Sequence, residues 1–231
     1  MSALPWFERM AVFDLETTGI DTDTCRIVTA FVGVIESDGS VSRRREWLVN
    51  PGVEIPMAAT LIHGVSTAQA REHGVNPVLA AAQIADELRA LHAAGLSVVA
   101  YNASYDFSVL GAELSRSGLP PLPTDLRVVD PLVIDRTVDR YRRGKRTLVD
   151  TAALYGVPLD GAHDAGVDAV AAGRVAQALV ARYPELGELS AEALHLRQIG
   201  WHVAWAEQYQ DWRRQNGEPG FTLSTVWPTR A

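Results

Sequence analysis

The sequence contains very little cysteine, and this scarcity limits the kinds of site that it can build. Its single cysteine, Cys25, cannot form an internal disulfide, and no cysteine cluster suggests a zinc site. The longest near-continuous apolar run, residues 27–35, is far too short to span a membrane. The first ten residues include Glu8 and Arg9 and lack an apolar core of signal-peptide length. We therefore expect a protein of the reducing cytoplasm that has no membrane partner.

An excess of positive charge is also missing. The formal net charge is −7, so the chain as a whole gains little from long-range attraction to nucleic acid. This argues against a protein that coats DNA, but an enzyme can concentrate cations locally and recruit metal ions. The densest basic cluster lies at residues 140–146, where phosphate contacts and a solvated loop are both open interpretations. A second cluster, Arg43–Arg45, fits an exposed edge strand that discourages aggregation.

The apolar patterning predicts an α/β fold. The 231 residues suit one domain, or one domain with an extension. Short apolar runs predict an antiparallel meander of three strands joined by short turns, at residues 10–15, 27–35 and 43–49. Two more strands are predicted at 96–101 and 126–129, among helices at 78–94, 104–117, 131–141, 147–155 and 164–182. The resulting expectation is a mixed five-stranded sheet covered by helices.

The last fifty residues form a separate predicted unit. The stretch Tyr183–Gly187 is the best candidate boundary, which predicts a domain at residues 1–183 and a C-terminal helical extension at 184–231. Ser190 can cap a helix that extends to about Gln215. Three tryptophans recur on this helix at helical spacing: Trp201, Trp205 and Trp212. We expect this stripe to dock on the chain's own domain, with a partner-binding surface as the alternative.

Acidic side chains lie beside a predicted strand end and a predicted helix start. Asp14 and Glu16 are two residues apart on a strand, so they share one face. A divalent cation with hard oxygen ligands would relieve their repulsion, whereas solvated acids at a strand end are the plainer interpretation. Asp106 falls in the first turn of a helix, where the helix dipole alone would favour a carboxylate.

A third segment contains His163 and Asp168. Inside a regular helix, residues five apart diverge by about 140°, so these side chains would not share a site there. If His163 instead precedes the helix, its ring can lie over Asp168, and Gly161 makes such a turn plausible. A capping or surface histidine is the alternative.

In combination and order, the three segments resemble the DEDD exonuclease superfamily. The motifs are Asp-x-Glu-Thr-Thr-Gly from Asp14, Asn-Ala-x-x-Asp from Asn102 and His-x-x-x-x-Asp from His163. The histidine resembles the DEDDh branch, which includes the proofreading epsilon subunit of bacterial DNA polymerase III, ribonuclease T and oligoribonuclease. The resemblance extends over about residues 10–182 and includes the segment 50–64. It implies a ribonuclease H-like fold.

The resemblance also implies a role for each residue of the catalytic set. Asp14, Glu16, Asp106 and Asp168 would bind two divalent metal ions, Mg²⁺ or Mn²⁺. Asp14 would bridge both ions, Glu16 and Asp168 would complete one site, and Asp106 would serve the other through water. The ions would serve the attacking and leaving oxygens, and neutral His163 would act as the general base.

By the same resemblance, the terminal nucleotide lies near the first motif. Its backbone contacts would come from three successive residues, Thr17, Thr18 and Gly19. His63 and Asn102 are further candidates for contact with it. Tyr105 could stack on a base or could pack in the core.

The function implied is metal-dependent hydrolysis of phosphodiester bonds from the 3′ end of DNA or RNA, with release of nucleoside 5′-monophosphates. The substrate would be a single-stranded or 3′-ended nucleic acid. A catalytically silent nucleic-acid-binding or polymerase-associated module with the same fold is the alternative. A polymerase or homodimer partner stays an open possibility.

Overall fold

The computed structural model describes residues 4–229, so residues 1–3 and 230–231, at the outer ends of the two predicted units, lie outside the described part. The strands are β1 (Arg9–Thr17), β2 (Ile27–Glu36), β3 (Val41–Leu48), β4 (Val98–Val99) and β5 (Val128–Val129). The helices are α1 (Met57–His63), α2 (Thr67–His73), α3 (Pro77–Ala93), α4 (Ala103–Arg116), α5 (Pro131–Val138), α6 (Leu148–Leu154), α7 (Ala165–Arg182) and α8 (Ala191–Gln215). A short 3₁₀ helix covers Pro184–Leu186.

The strands form one mixed sheet in the order β3-β2-β1-β4-β5. β1, β2 and β3 pair antiparallel, whereas β4 pairs parallel with both β1 and β5. The carboxyl ends of β1, β4 and β5 therefore meet at one edge of the sheet, which is where α/β folds commonly bind ligands. The predicted mixed five-stranded α/β fold is confirmed.

Alternation along β1 sends its side chains into two separate cores. Phe13 and Leu15 lie in the core beneath α3 and α4. Met10 and Val12 lie in the core beneath α5, α6 and α7. Because strand side chains alternate between faces, the even-numbered positions that follow Val12 also face α7.

Helix α7 carries a glycine where it packs against the sheet. A Cβ on Gly173 would lie 2.5 Å from Ile35 Cδ1 and 2.7 Å from Val12 Cγ1. Real Cβ contacts are not this short, so any larger residue would push α7 outward. The glycine thus sets the height of α7 above β1.

Element boundaries differ from the sequence prediction chiefly at short segments. β4 and β5 have only two paired residues each, because the chain turns at once into the next helix at each carboxyl end. The link between β1 and β2 is an irregular segment at residues 18–26 rather than a short turn. α5 ends at Val138, three residues before its predicted end, and the sequence prediction assigned no structure to α1 and α2.

The outer edge of β5 is covered by side chains of α8 instead of by another strand. The Val128 N–H donates to His195 Nδ1 at 3.1 Å, and Gln198 Nε2 donates to the Val128 carbonyl at 3.0 Å. The Asp130 N–H donates to Gln198 Oε1 at 2.7 Å. Gln198 therefore satisfies the exposed backbone of an edge strand, which would otherwise be open to pairing with another chain.

The predicted tryptophan stripe on α8 is buried along only part of its length. Leu194 is fully buried, and Trp201 packs against both cores. Trp212, by contrast, is 55% exposed, so the expectation that the whole stripe docks on the domain was wrong for its far end. Within residues 4–229, no helix is long and apolar enough to cross a membrane.

Candidate active site

Asp14 and Glu16 lie near the carboxyl end of β1, on the strand face that α7 covers. Both side chains are partly buried, and they continue the row that Met10 and Val12 begin. The apolar residues on this face of β1 end at Val12, and the next two positions on the face are carboxylates. This edge of the sheet therefore presents acidic oxygens beneath the first turn of α7.

Asp106 reaches the same strand from the opposite layer. It lies in the first turn of α4, is 3% exposed, and accepts a hydrogen bond from the Leu15 N–H at 3.0 Å. That bond joins α4 to the segment between Asp14 and Glu16. The three carboxylates are thus brought together by a strand and a helix that are about ninety residues apart in sequence.

His163 precedes α7 in a left-handed backbone conformation, with φ of +72°. Its N–H donates to Asp168 Oδ2 at 3.1 Å. The side chains of Glu16, His163 and Asp168 each offer a ligand atom, and these atoms lie within 4.8 Å of one another. The turn before the helix therefore brings together two residues that a regular helix would separate.

Burial and mutual repulsion dominate the electrostatics of these carboxylates. Burial raises the pKa of Asp14 well above its ordinary value, and the neighbouring Asp106, Glu16 and Asp168 raise it further. Burial and the charge of Asp168 raise the pKa of Glu16 to about 8. Burial likewise raises the pKa values of Asp106 and Asp168.

A divalent cation fits this group of side chains. Asp168 Oδ1 is buried and has no hydrogen-bond partner among the described residues, although buried carboxylate oxygens normally have one. Hard oxygen ligands in such density suit Mg²⁺ or Mn²⁺. A bound cation would give Asp168 Oδ1 a partner. It would also offset the repulsion between the carboxylates that raises their pKa values.

The loop after β1 is held in place by Tyr105. The Tyr105 hydroxyl donates to the Gly19 carbonyl at 2.5 Å and is also bonded to Thr17 Oγ1. Thr17 Oγ1 itself donates to the Gly19 carbonyl at 2.7 Å, while Thr18 Oγ1 accepts from the Arg26 N–H. The ring of Tyr105 packs against the core. Tyr105 thus orders the loop for which the resemblance predicted backbone contacts with a terminal nucleotide.

His63 lies at the end of α1, facing the same loop. Its Nδ1 accepts from the Val65 N–H at 3.2 Å, and its Nε2 is buried with no hydrogen-bond partner among the described residues. Burial lowers the pKa of His63, and the nearby backbone of Thr17 opposes that shift. The imidazole of His63 therefore faces the segment after β1.

Asn102 occupies the turn from β4 into α4, with φ of +62°. Its N–H and that of Ala103 each donate to the Asp130 carboxylate at 2.9 Å. Asp130 also caps α5 by accepting from the Leu132 N–H. The sequence analysis missed Asp130, although an Asp directly before a Pro is a typical start of a helix.

The basic residues at 140–146 are partly engaged in contacts within the chain. Arg142 and Arg146 form ion pairs with the fully buried Asp135. The Tyr101 hydroxyl donates to the carbonyls of Arg146 and Thr147 at 2.8 and 3.3 Å, which fastens this loop to the end of β4. The basic cluster thus lies in an ordered loop next to the turn at Asn102.

Comparison with known proteins gives consistent matches. A family model described as Exonuclease matches residues 11–176. The chain is similar to the "DNA polymerase III PolC-type" of Streptococcus thermophilus, with 27% identity over 165 residues, 71% of this chain and 10% of that protein. It is also similar to the "DNA polymerase III subunit epsilon-like protein" of Rhodobacter capsulatus, with 37% identity over 103 residues, 43% of this chain and 14% of that protein. The chain thus spans about a tenth of the length of these relatives.

Among solved structures, the zinc-bound form of the complex of E. coli Exonuclease I with single-stranded DNA has a TM-score of 0.66 at 21% identity. The match covers 78% of this chain and 42% of that chain. At this identity it shows a shared fold, and it supports the ribonuclease H-like fold that the sequence implied.

Proposed function

Because the chain belongs to the exonuclease family whose model matches residues 11–176, we propose that it is a metal-dependent 3′–5′ exonuclease. The observation that carries the proposal is the convergence of Asp14, Glu16, Asp106, His163 and Asp168 at one edge of the sheet. Their raised pKa values and the buried unpartnered oxygen of Asp168 support a site that is built for cations.

Four carboxylates would hold two divalent ions: Asp14, Glu16, Asp106 and Asp168. In this assignment Asp14 would serve both ions, and Glu16 and Asp168 would complete the ligands of one of them. When bound, such ions activate the attacking water and stabilise charge on the leaving oxygen. Asp106 is fixed by the Leu15 N–H, so its carboxylate has a defined position before any ligand arrives.

His163 would accept the proton of the attacking water. Its exposed side chain lies beside Glu16 and Asp168, and its backbone bond to Asp168 fixes the start of the turn. A residue so placed needs no large movement to take up a proton at a ring nitrogen. The left-handed backbone keeps the imidazole outside the helix and over the site.

The loop at Thr17–Gly19 would receive the terminal nucleotide. A Cβ on Gly19 would have no described atom within 4 Å, so backbone there is open to a ligand. His63, at the end of α1, and Asn102, at the start of α4, would be further contacts for this nucleotide. Tyr105 contributes by holding the Gly19 carbonyl in place.

A labelled-strand assay tests the function directly. Matched single-stranded DNA, single-stranded RNA and duplexes, each labelled at the 5′ end, are incubated with Mg²⁺ or Mn²⁺. We expect stepwise shortening, release of nucleoside 5′-monophosphates, resistance of a blocked 3′ end and complete loss of activity in excess EDTA. Rapid cutting of a circular single strand would contradict an exonuclease. Binding without any hydrolysis would instead support a catalytically silent module.

A further inference from the structure

Helix α8 extends past the sheet edge and carries a row of stacked aromatic rings. The rings of Trp205 and Tyr209 are 5.4 Å apart with 9° between their planes, and those of Tyr209 and Trp212 are 6.0 Å apart with 20°. The Arg136 guanidinium lies 3.5 Å from the centroid of the Trp205 ring. We call Trp205, Tyr209 and Trp212 the aromatic row. It ends at Trp212, which is 55% exposed.

Positive charge is concentrated beside this row. Six of the 21 basic residues of this acidic chain fall at positions 136–146, and two of them, Arg142 and Arg146, are paired with the buried Asp135. Arg140 donates to Gln208 Oε1 on α8 at 2.6 Å, which holds the loop against the helix. Arg143 and Lys145 are exposed, and Tyr141 is 86% exposed among them. Arg140 is exposed as well, so burial in the core does not account for the ring of Tyr141 and these three cations.

A groove of about 350 Å³ separates the loop from the helix. Its walls are built of arginines and aromatic rings: Arg136, Arg140, Tyr141, Arg146, Trp205 and Tyr209. The groove adjoins the catalytic end of the sheet, since the Arg146 carbonyl accepts from the hydroxyl of Tyr101, the residue before Asn102. A polymer that enters the active site at the start of α4 could therefore continue along this groove.

We propose that the groove binds single-stranded nucleic acid, namely the nucleotides on the 5′ side of the one being removed. This proposal rests on the exonuclease function proposed above. Arginines match the phosphate charge, and aromatic faces stack on unpaired bases whatever their sequence. Tyr141 offers such a face in the groove, and Trp212 offers one just beyond it, because its ring stacks on that of the groove-lining Tyr209. Paired bases cannot stack in this way, so the occupant is a single strand. The aromatic row lies outside residues 11–176, so it belongs to this chain and not to the family match.

Binding is measured with 5′-fluorescein-labelled oligothymidylates of 4 and 20 nucleotides, using protein that carries Asp14→Ala to prevent hydrolysis. Trp212→Ala should weaken binding of the 20-mer about tenfold or more, from the loss of base stacking. Arg140→Gln should lower the slope of log K against log salt by about 0.7, the value for one phosphate contact on a single strand. Both effects should be much smaller for the 4-mer.

Two control variants isolate the groove. Leu196→Ala trims a 59% exposed side chain from the opposite face of α8, and Arg182→Gln removes an exposed charge at the far end of α7. Neither should alter binding of either oligonucleotide.

Several outcomes would overturn the proposal. One is unchanged 20-mer binding by Trp212→Ala and Arg140→Gln. Another is an equal loss for both lengths, which would indicate a general defect rather than a groove.

Hydrolysis of the same two oligonucleotides by the unmutated chain separates the two proposals. If neither were hydrolysed, the exonuclease function would fail, while the length-dependent binding would still decide whether the groove binds a strand. If both were hydrolysed and the variants bound the 20-mer normally, only the groove would be refuted.

Discussion

Two carboxylate sites lie at the carboxyl ends of β5 and β1, which β4 separates, and their environments are opposite. Asp130, after β5, accepts from three backbone N–H groups, those of Asn102, Ala103 and Leu132. Trp227 Nε1 adds a further donor at 3.4 Å. Burial raises the pKa of Asp130, and the three backbone donors oppose the rise. A carboxylate with so many donors can stay charged without an ion.

The site at the end of β1 has few donors and several like charges. Asp14 is surrounded by Asp106, Glu16 and Asp168, all of which raise its pKa. Such a cluster persists only if protons or cations neutralise it. Burial of an acid therefore does not by itself indicate a functional site. The two sites differ in their neighbours: N–H groups face the oxygens of Asp130, whereas other carboxylates face those of Asp14.

The largest expected effect comes from removing a charge from the cluster. Asp14→Asn should reduce hydrolysis by about a thousandfold or more, because metal-ion chemistry contributes several kcal/mol to such barriers. The variant should be at least as heat-stable as the unmutated chain in EDTA, since one repulsive charge is gone. Steady-state hydrolysis measures the loss of activity, and thermal unfolding in EDTA measures the change in stability. A loss of stability without a loss of activity would instead give Asp14 the structural role that we assign to Asp130.

His163→Ala tests the base within the same cluster. General-base catalysis contributes about 10²–10⁴-fold, so kcat at saturating substrate should fall by that amount. The KM should change little, because the carboxylates remain. His163→Gln serves as a control for the shape of the side chain. An unchanged kcat would show that another group takes the proton.

The Asp130 site should respond in stability rather than in chemistry. Asp130→Ala leaves buried N–H groups without an acceptor, which costs about 1–3 kcal/mol for each donor. We expect a loss of several kcal/mol in the free energy of unfolding, measured by urea denaturation, and only a partial recovery with Asp130→Asn. Hydrolysis per folded molecule should fall less than in Asp14→Asn. An unfolding free energy equal to that of the unmutated chain would refute the anchoring role.

The metal-free cluster should also make stability depend on pH. The pKa of Glu16 is raised from 4.5 to about 8, so the folded chain holds this proton more tightly than the unfolded chain does. The stabilisation is complete below about pH 4.5 and is lost as the pH rises to about 8. In EDTA, the Tm of the unmutated chain should therefore fall over this window relative to that of Glu16→Gln. Added Mn²⁺ should reduce the difference, and parallel Tm curves in EDTA would contradict the raised pKa.

Much of the fold was predictable from the sequence because it depends on local patterns. The five-stranded mixed sheet follows from apolar runs and turn residues, and its prediction is confirmed by the strand order. The family was predictable because its motifs have a fixed order and spacing, and the match over residues 11–176 confirms it. The convergence of Asp14, Asp106 and Asp168 followed from that resemblance, since strand and helix periods alone left each motif ambiguous.

Tertiary contacts account for what the sequence did not reveal. Asp130 has the local pattern of a helix cap, and nothing local indicates that it also binds the turn at Asn102. Gln198 lies among apolar positions of α8 and gave no signal that it completes β5. Trp212 continues the tryptophan stripe in sequence, and nothing local distinguishes this exposed ring from the buried part of the stripe. These features depend on where two distant segments meet.

The smallest expected effect concerns the link between α8 and the Asp130 site. Gln198 is fully buried, accepts from the Asp130 N–H and donates to the Val128 carbonyl. Gln198→Leu keeps most of the volume but removes this partner from two buried backbone groups, the Asp130 N–H and the Val128 carbonyl. This should lower the free energy of unfolding by about 1–3 kcal/mol for each group. For a chain of this size, each kcal/mol corresponds to about 2–4 °C in Tm. Arg197→Leu, at the exposed neighbouring position, is the matched control and should leave the Tm nearly unchanged. The kcat should change little, because Asp130 retains its bonds to Asn102 and Ala103. A different result would be a fall in kcat as large as that of His163→Ala with an unchanged Tm. In that case α8 would act on the catalytic cluster through Asp130, and the two carboxylate sites would be one coupled unit.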